Sequence, residues 1–233
     1  MRLTALPRAL LFDLDGTLAH TIPQLAKAGR RAAEAIGVEA PDPETTRSYV
    51  GNGVQLLLSR IILKSYDVST DMVDPGLLSR ARAAFNTFYL EGLDQDYEIY
   101  PGVTETLGYA RSRGIRLAVV TNKPQMFADP LLGYMGLRPY FDLIVGGEVL
   151  ERRKPDPCPL SHALARLGVE AAAAVMVGDS PNDVIPARAL GLTAVFFTFG
   201  YCRGSIDPYE PDYKFDSWHG LLELLRSLEP APL

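Results

Sequence analysis

Short apolar runs alternate along most of the chain with segments whose apolar residues recur at helical spacing. The runs at 9–12, 115–120, 143–145, 174–177 and 193–197 are apolar almost throughout and stop abruptly at polar residues. A strand with one solvated face would alternate, so continuous apolarity predicts strands buried on both faces. Helical spacing covers 103–113, 125–135, 159–167, 182–190 and 221–228. Strands alternating with helices predict a Rossmann-like, doubly wound α/β core, a parallel sheet covered on both sides. Gly114, Gly136, Gly168 and Gly191 each follow a helical stretch and precede an apolar run or its flank. A left-handed residue closing a helix belongs at such positions.

Residues 22–92 break this rhythm. The stretches 25–36, 54–63 and 72–91 read as helices with no strand between them, separated by turn signals at Gly37, Pro41, Pro43 and Asp74-Pro75-Gly76. This predicts an all-helical insert at 19–92, with a core formed by 1–18 and 93–233. The first strand would then be cut off in sequence from the rest of its sheet. The last residues, 229–233, read as a loose end.

Composition narrows the classes of function. With 47% apolar and 22% charged residues in 233, the chain has the make-up of a globular protein with a substantial core. A net charge of -5, from 28 acidic against 23 basic residues with no Lys/Arg block, argues against nucleic acid as a partner. No apolar stretch approaches a membrane span or a secretory signal, because Pro7, Arg8 and Asp13 interrupt the apolar start. Cys158 and Cys202 have no metal-ligand or C-x-x-C spacing and read as reduced, packed thiols. Together these point to a cytoplasmic protein, monomeric or homodimeric, that acts on a small solute.

The polar residues that end the strands carry the chemistry. The first run ends in Asp13-Leu14-Asp15-Gly16-Thr17, and residues two apart on an extended segment project to the same side. The run at 115–120 delivers Thr121-Asn122-Lys123, and that at 174–177 delivers Gly178-Asp179-Ser180-Pro181-Asn182-Asp183. Ligand sites of open parallel sheets lie beyond the carboxyl ends of the strands, so these clusters can converge. Lys154, held out of a helix by Pro155, adds a cation. Asp13, Asp15, Asp179 and Asp183 at one sheet edge need compensation by a cation, and an all-oxygen donor set favours Mg²⁺ over zinc. Thr121 and Lys154 offer the donors that hold a phosphoryl group, and a carboxylate can serve as nucleophile.

The ordered set D-L-D-G-T-L, V-T-N-K-P, K-P-D-P and V-G-D-S-P-N-D resembles the motifs of the haloacid dehalogenase superfamily of phosphatases. That resemblance implies a Mg²⁺-dependent phosphate-monoester hydrolase working through an aspartyl-phosphate. Asp13 would be the nucleophile and Asp15 the general acid/base, while Gly16, Thr121, Asn122 and Lys154 would hold the phosphate. Asp13, Asp179 and the main-chain carbonyl of Asp15 would bind the metal, with Asp183 orienting ligands behind them. Residues 19–92 would be the superfamily's helical cap. A sugar-phosphate mutase, a sugar-phosphate phosphatase or a pyrophosphatase would keep the same catalytic groups. A phosphoacceptor receiver module fits less well, because it pairs adjacent acids and lacks the insert.

Finer features, Tyr49-Val50-Gly51-Asn52-Gly53, Tyr100-Pro101-Gly102-Val103, Asn122-Lys123-Pro124 and Thr198-Phe199-Gly200-Tyr201, resemble the phosphoglycolate phosphatases of that superfamily. Leu18-Ala19-His20-Thr21 departs from them, standing where those relatives usually carry an Asp-Ser pair. Gly51, Asn52 and Gly53 precede a helical stretch, where main-chain amides favour an anion such as a substrate carboxylate. Arg47 and Lys64 are candidate partners for that carboxylate but read first as solvated surface charges; His20 reads as a surface residue of the joint between insert and core or a substrate contact, and Tyr201 as packing ahead of an approach to the site. His162 and His219 read as structural, and Trp218 as packing the last helix on the sheet.

Overall fold

The computed structural model describes residues 3–228. After β1 (Ala9–Phe12) the chain makes a short strand β2 (Ala19–His20) and then four helices: α1 (Ile22–Ala35), α2 (Pro43–Tyr49), α3 (Val54–Leu63) and α4 (Pro75–Glu91). It returns through β3 (Glu98–Ile99), α5 (Val103–Ser112), β4 (Arg116–Pro124), α6 (Gln125–Tyr134) and β5 (Leu143–Gly147). The remainder is α7 (Cys158–Leu167), β6 (Ala174–Gly178), α8 (Pro181–Leu190), β7 (Thr193–Phe197), β8 (Tyr213–Phe215) and α9 (Trp218–Ser227). The expected loose end, 229–233, lies outside the described residues.

The six-stranded sheet runs in the order β5-β4-β1-β6-β7-β8, and every neighbouring pair is parallel. Along β1, β4, β6 and β7 successive residues feed opposite cores. Leu10, Phe12, Val119, Val177 and Phe197 face one layer with α1, α4, α5, α6 and α9. Leu11, Val120, Met176 and Phe196 face the other with α7 and α8. Both faces are dry, which is why the strands read as unbroken apolar runs. β1 lies at the centre, and the chain turns outward from it in both directions, so the crevice beyond its carboxyl end is the sheet's switch point.

Elements missing from the sequence reading have local causes. Pro43 reads as a turn signal, yet it occupies the first turn of α2, where its missing N–H is tolerated, and Asp42 caps the helix by accepting from Thr45 N at 2.9 Å. β2 and β3 pair antiparallel over only Ala19↔Ile99 and His20↔Glu98, too short for any periodicity. β8 is a three-residue edge strand with a half-exposed pattern. β4 runs on to Pro124 rather than stopping at Val120, so Thr121, Asn122 and Lys123 project from extended chain. Among the described residues no helix is long and apolar enough to cross a membrane.

Trp218 opens α9 and ties both ends of the sequence together. Its ring lies 5.6 Å from Phe12 and 5.0 Å from Phe197, and its indole N–H donates to Thr17 O at 3.0 Å. It therefore packs α9 on the sheet, as expected, and also braces the loop that follows β1. Gly102, at φ +89°, lets the main chain pass close by, since a Cβ there would stand 2.9 Å from the Trp218 Cβ. Replacing a fully buried indole by a methyl group leaves a cavity and an unpaired carbonyl. Trp218→Ala is predicted to lower the unfolding free energy by about 3–5 kcal/mol, and Trp218→Phe by less, as read from urea denaturation.

Candidate active site

The polar ends of β1, β4 and β6 meet where the register predicts. Asp13 follows β1, its amide donating to Val177 O of β6 at 3.0 Å. Asp179 follows β6, and one oxygen from each of Asp13, Asp179 and Asp183 lies within 4.8 Å of the others. Lys154 reaches in from the segment before α7 and is 1% exposed. Its Nζ stands 2.6 Å from Asp183 Oδ1 and 3.1 Å from Asp13 Oδ1. The second approach lacks hydrogen-bond geometry, and Asp13 Oδ1 is a buried oxygen with no hydrogen-bond partner among the described residues.

The acids differ in how far they are committed. Asp183 forms a capping box at the start of α8, where its Oδ2 accepts from Ser180 N at 3.1 Å, Ser180 Oγ at 2.9 Å and Asp179 N at 3.2 Å. With Lys154 on the other oxygen, its carboxylate is fully engaged. Asp179 Oδ2 accepts from Tyr201 N at 2.5 Å. No side chain could replace two glycines here: a Cβ at Gly16 or Gly200 would stand 2.3 or 2.2 Å from Asp179 atoms, and Gly16 also has φ +83°.

Burial, reinforced by the charges of Asp183 and Asp15, pushes Asp13 from its ordinary 3.8 up to about 6 against the pull of Lys154. Burial, with the charges of Asp13 and Asp183, likewise holds Asp179 well above the carboxylate range. For Lys154 burial alone would favour loss of its proton, but the charges of Asp13 and Asp183 outweigh it and raise its pKa.

These residues fit a hard divalent cation. The cluster holds only oxygen donors, its three acids share one cation, Lys154, and one buried carboxylate oxygen accepts no hydrogen bond among the described residues. Asp13 and Asp179 have the capacity left to bind an ion, whereas Asp183 is occupied in holding Lys154 and the turn at Ser180.

Asp15 is set apart from this cluster. Lys123 Nζ donates to its two oxygens at 2.8 and 3.1 Å, and Thr21 Oγ1 donates to Oδ1 at 2.6 Å. Lys123 is buried, which opposes its charge, but Asp15 and Tyr89 outweigh burial and raise its pKa. Its Nζ also lies 4.8 Å from the Tyr89 ring centre, and Tyr89 in turn donates to Gln24 Oε1 at 3.2 Å. The sequence places Lys123 in the polar cluster that ends this strand but gives it no role of its own; the signal that finds the role is its position two residues along extended chain from Thr121.

Thr121 is buried at the rim beside Asp13, its Oγ1 accepting from Lys123 N at 3.2 Å. The Asn122 amide donates at 2.9 Å both to Gly51 O and to Lys154 O, so any contact of Asn122 to a phosphate is left to its main-chain N–H. Gly51, Asn52 and Gly53 line the same cavity of about 330 Å³ as Asp13, Asp15, Thr121 and Asp179. Gly51 O also accepts from Asn182 at 3.1 Å, and Gly53 starts α3 at φ +84°.

Two residues read as bland are not. Arg47 is not a solvated charge: it donates to Gly200 O at 2.9 Å and its guanidinium sits 5.5 Å from the Tyr201 ring centre. Tyr201 does more than pack, since its hydroxyl accepts from Thr21 N at 2.7 Å and bonds His20 Nδ1 at 3.1 Å while its own N–H holds Asp179. His20 is therefore a half-buried part of the joint, and burial with the Arg47 charge lowers its pKa. Lys64 is exposed and pairs with Glu39 at 2.7 Å, as a surface charge should. Cys158 and Cys202 are free thiols, each half-buried.

Residues 10–197 match the sequence model of the family described as haloacid dehalogenase-like hydrolase. The chain belongs to the haloacid dehalogenase-like hydrolases. It is similar to the phosphoglycolate phosphatase of Vibrio parahaemolyticus, 36% identical over 94% of this chain and 96% of that one. The phosphoglycolate phosphatase of Chromobacterium violaceum is 40% identical over 85% of this chain and 88% of its own. A crystal structure of a predicted phosphoglycolate phosphatase from Haemophilus somnus superposes with a TM-score of 0.86 at 30% identity, covering 93% of this chain and 97% of that one. This haloacid dehalogenase-like hydrolase is a phosphatase, and phosphatases of the family generally use Mg²⁺.

An acid whose folded-state pKa lies above its unfolded value binds its proton more tightly when folded, so folding loses stability as pH rises between the two. The contribution of Asp13 to the stability of metal-free protein is predicted to fall as pH rises from about 4 to about 6, the interval over which it is shifted, so the melting temperature of the wild type should drop relative to Asp13→Asn across that interval. Added Mg²⁺ should restore the melting temperature above that interval and have little effect below it. Melting curves that ignore Mg²⁺ at every pH would contradict this reading of the cluster.

Proposed function

We propose that this phosphatase hydrolyses 2-phosphoglycolate to glycolate and inorganic phosphate through a phosphorylated Asp13. The observation that carries the chemistry is the buried Asp13 oxygen that accepts no hydrogen bond among the described residues, 3.1 Å from the Lys154 ammonium and set among acids at the end of the central strand. The match to phosphoglycolate phosphatases over more than nine-tenths of the chain supports the choice of substrate.

Asp13 attacks phosphorus, and the bond from phosphorus to the glycolate oxygen breaks as that oxygen takes a proton from the carboxyl of Asp15. In the second half, water attacks the phosphorus, its proton passes to the Asp15 carboxylate, and the Asp13–phosphorus bond breaks to release phosphate. Lys123 and Thr21 fix where Asp15 points through three hydrogen bonds, holding it in place for both proton transfers. Lys154 and Thr121 hold phosphoryl oxygens, with Gly16 leaving room for the main chain to approach. Asp13, Asp179 and the main-chain carbonyl of Asp15 would hold Mg²⁺, with Asp183 behind them. When bound it supplies positive charge against the phosphoryl oxygens.

Residues 19–92 form a cap over this site and exclude water while the leaving group is protonated. The hydrogen bonds of Arg47, Asn122 and Asn182 across to Gly200 and Gly51 support a closed arrangement of cap on core. A small phosphorylated metabolite is then the partner, and a cytoplasmic setting fits such a substrate.

Phosphate release with Mg²⁺ across 2-phosphoglycolate, sugar phosphates, pyrophosphate and nucleotides tests the substrate: 2-phosphoglycolate is expected to give the highest kcat/KM. Asp13→Asn is expected to reduce turnover by at least about a thousandfold, since nucleophile loss removes the covalent route, with an unchanged circular dichroism spectrum. EDTA is expected to abolish activity and Mg²⁺ to restore it. Turnover at the wild-type rate in Asp13→Asn would reject the mechanism, and a sugar phosphate preferred over 2-phosphoglycolate would reject the substrate.

A further inference from the structure

The charged residues that line the cavity are Asp13, Asp15, Asp179, Lys123 and Arg203. Lys123 is answered by Asp15, and Lys154 beneath the cavity floor by Asp13 and Asp183. Arg203 differs: among the described residues it has no carboxylate partner, and its one contact of note is with an aromatic ring. That ring is Tyr66, in the bend that follows α3, with the Arg203 guanidinium 4.1 Å from its centre. A second guanidinium, that of Arg60, lies 4.1 Å from the same centre.

Arg60 is 4% exposed, and the acceptors it reaches are all neutral: Tyr49 O at 2.7 Å, Tyr66 O at 3.0 Å and Asn52 Oδ1 at 3.1 Å. Burial chiefly opposes its proton, and the nearby Arg203 charge adds to that, while Tyr66 and the exposed Asp67 favour it, Asp67 without an ion pair among the described residues. Two like charges on one ring, one of them buried, repel. The ring's negative face offsets part of that cost, but an anion beside them would offset more. Asn52 continues the chain of contacts towards the site, since its amide donates to Asn182 Oδ1 at 3.4 Å.

We infer that Arg203, stacked on Tyr66 and backed by Arg60, is the specificity residue that receives the substrate's second anionic group, a carboxylate. This deepens the reading of the chain as a phosphoglycolate phosphatase and rests on it. A substrate with a phosphoryl group at Asp13 and a carboxylate at its far end would otherwise face Asp15 and Asp179 with no free cation in the cavity to meet it. The planar fork of a guanidinium matches a carboxylate, and stacking on Tyr66 limits the orientations it must give up on binding. Because Arg203 is exposed at the mouth, it is also the first unpaired charge an incoming anion meets.

The test compares kcat/KM for 2-phosphoglycolate and for 3-phosphoglycerate with that for ethyl phosphate, which lacks the carboxylate, in the wild type, R203Q and Tyr66→Leu. The ratio of the 2-phosphoglycolate constant to the ethyl phosphate constant is expected to fall about 10- to 100-fold in R203Q, the range of one charge-assisted contact, chiefly through KM for 2-phosphoglycolate. Tyr66→Leu, which keeps the charge and removes its platform, should lose less. A wild-type preference that persists in R203Q overturns the assignment of Arg203 and leaves the substrate reading standing. A wild-type preference for 3-phosphoglycerate that collapses in R203Q supports the anion subsite and overturns 2-phosphoglycolate as substrate. A wild type indifferent to the carboxylate overturns both.

Discussion

Lys154 holds the site together electrostatically. Its ammonium is almost wholly buried, and among the described residues it is the one cation in ion-pair contact with Asp13 and Asp183 together. Without it, three acids would crowd one end of a dry parallel sheet, and burying a carboxylate without a counter-charge is costly. With it, the cluster still carries more negative than positive charge. That residual imbalance makes the site receptive to a divalent cation, and it adds to burial, the larger cause, in raising the pKa values of Asp13 and Asp179.

A second cation, Lys123, keeps Asp15 out of that cluster. The two aspartates stand two residues apart at the end of β1, yet one is tied to Lys154 and the other to Lys123 and Thr21. Separate partners give neighbouring carboxylates different environments, the arrangement by which two acids take different parts in one reaction. Lys123 also touches Tyr89 of α4, and Tyr201 links Thr21 to Asp179, so the helical layer and the acids share hydrogen-bonded neighbours. A shift of the helices relative to the sheet would therefore be felt at Asp15 and Asp179.

The sheet was legible because burial on both faces leaves a mark on every strand, and the acids were legible because they follow those strands directly. Asp13, Thr121, Lys154, Asp179 and Asp183 come together in space although they are distant in sequence. What the sequence hid depends on side chains from unrelated elements meeting. Nothing in the order of residues puts Arg47 on Gly200, or Arg60 and Arg203 on one tyrosine ring. Pro43 misled for a different reason: proline breaks a helix interior but fits a first turn, and only the capping bond from Asp42 tells the two apart.

The central claim is that the strand-end cluster holds Asp13 ready to accept a phosphoryl group. Its most direct test is acid-quenched turnover with 2-phosphoglycolate and Mg²⁺, followed by peptide mass spectrometry. The account predicts a peptide spanning Asp13 heavier by one phosphoryl group, with the modification on Asp13 and not on Asp15, and its disappearance when substrate is omitted. A phosphoryl group found on Asp15, or turnover at full rate with no phosphorylated peptide in the burst phase, would contradict it.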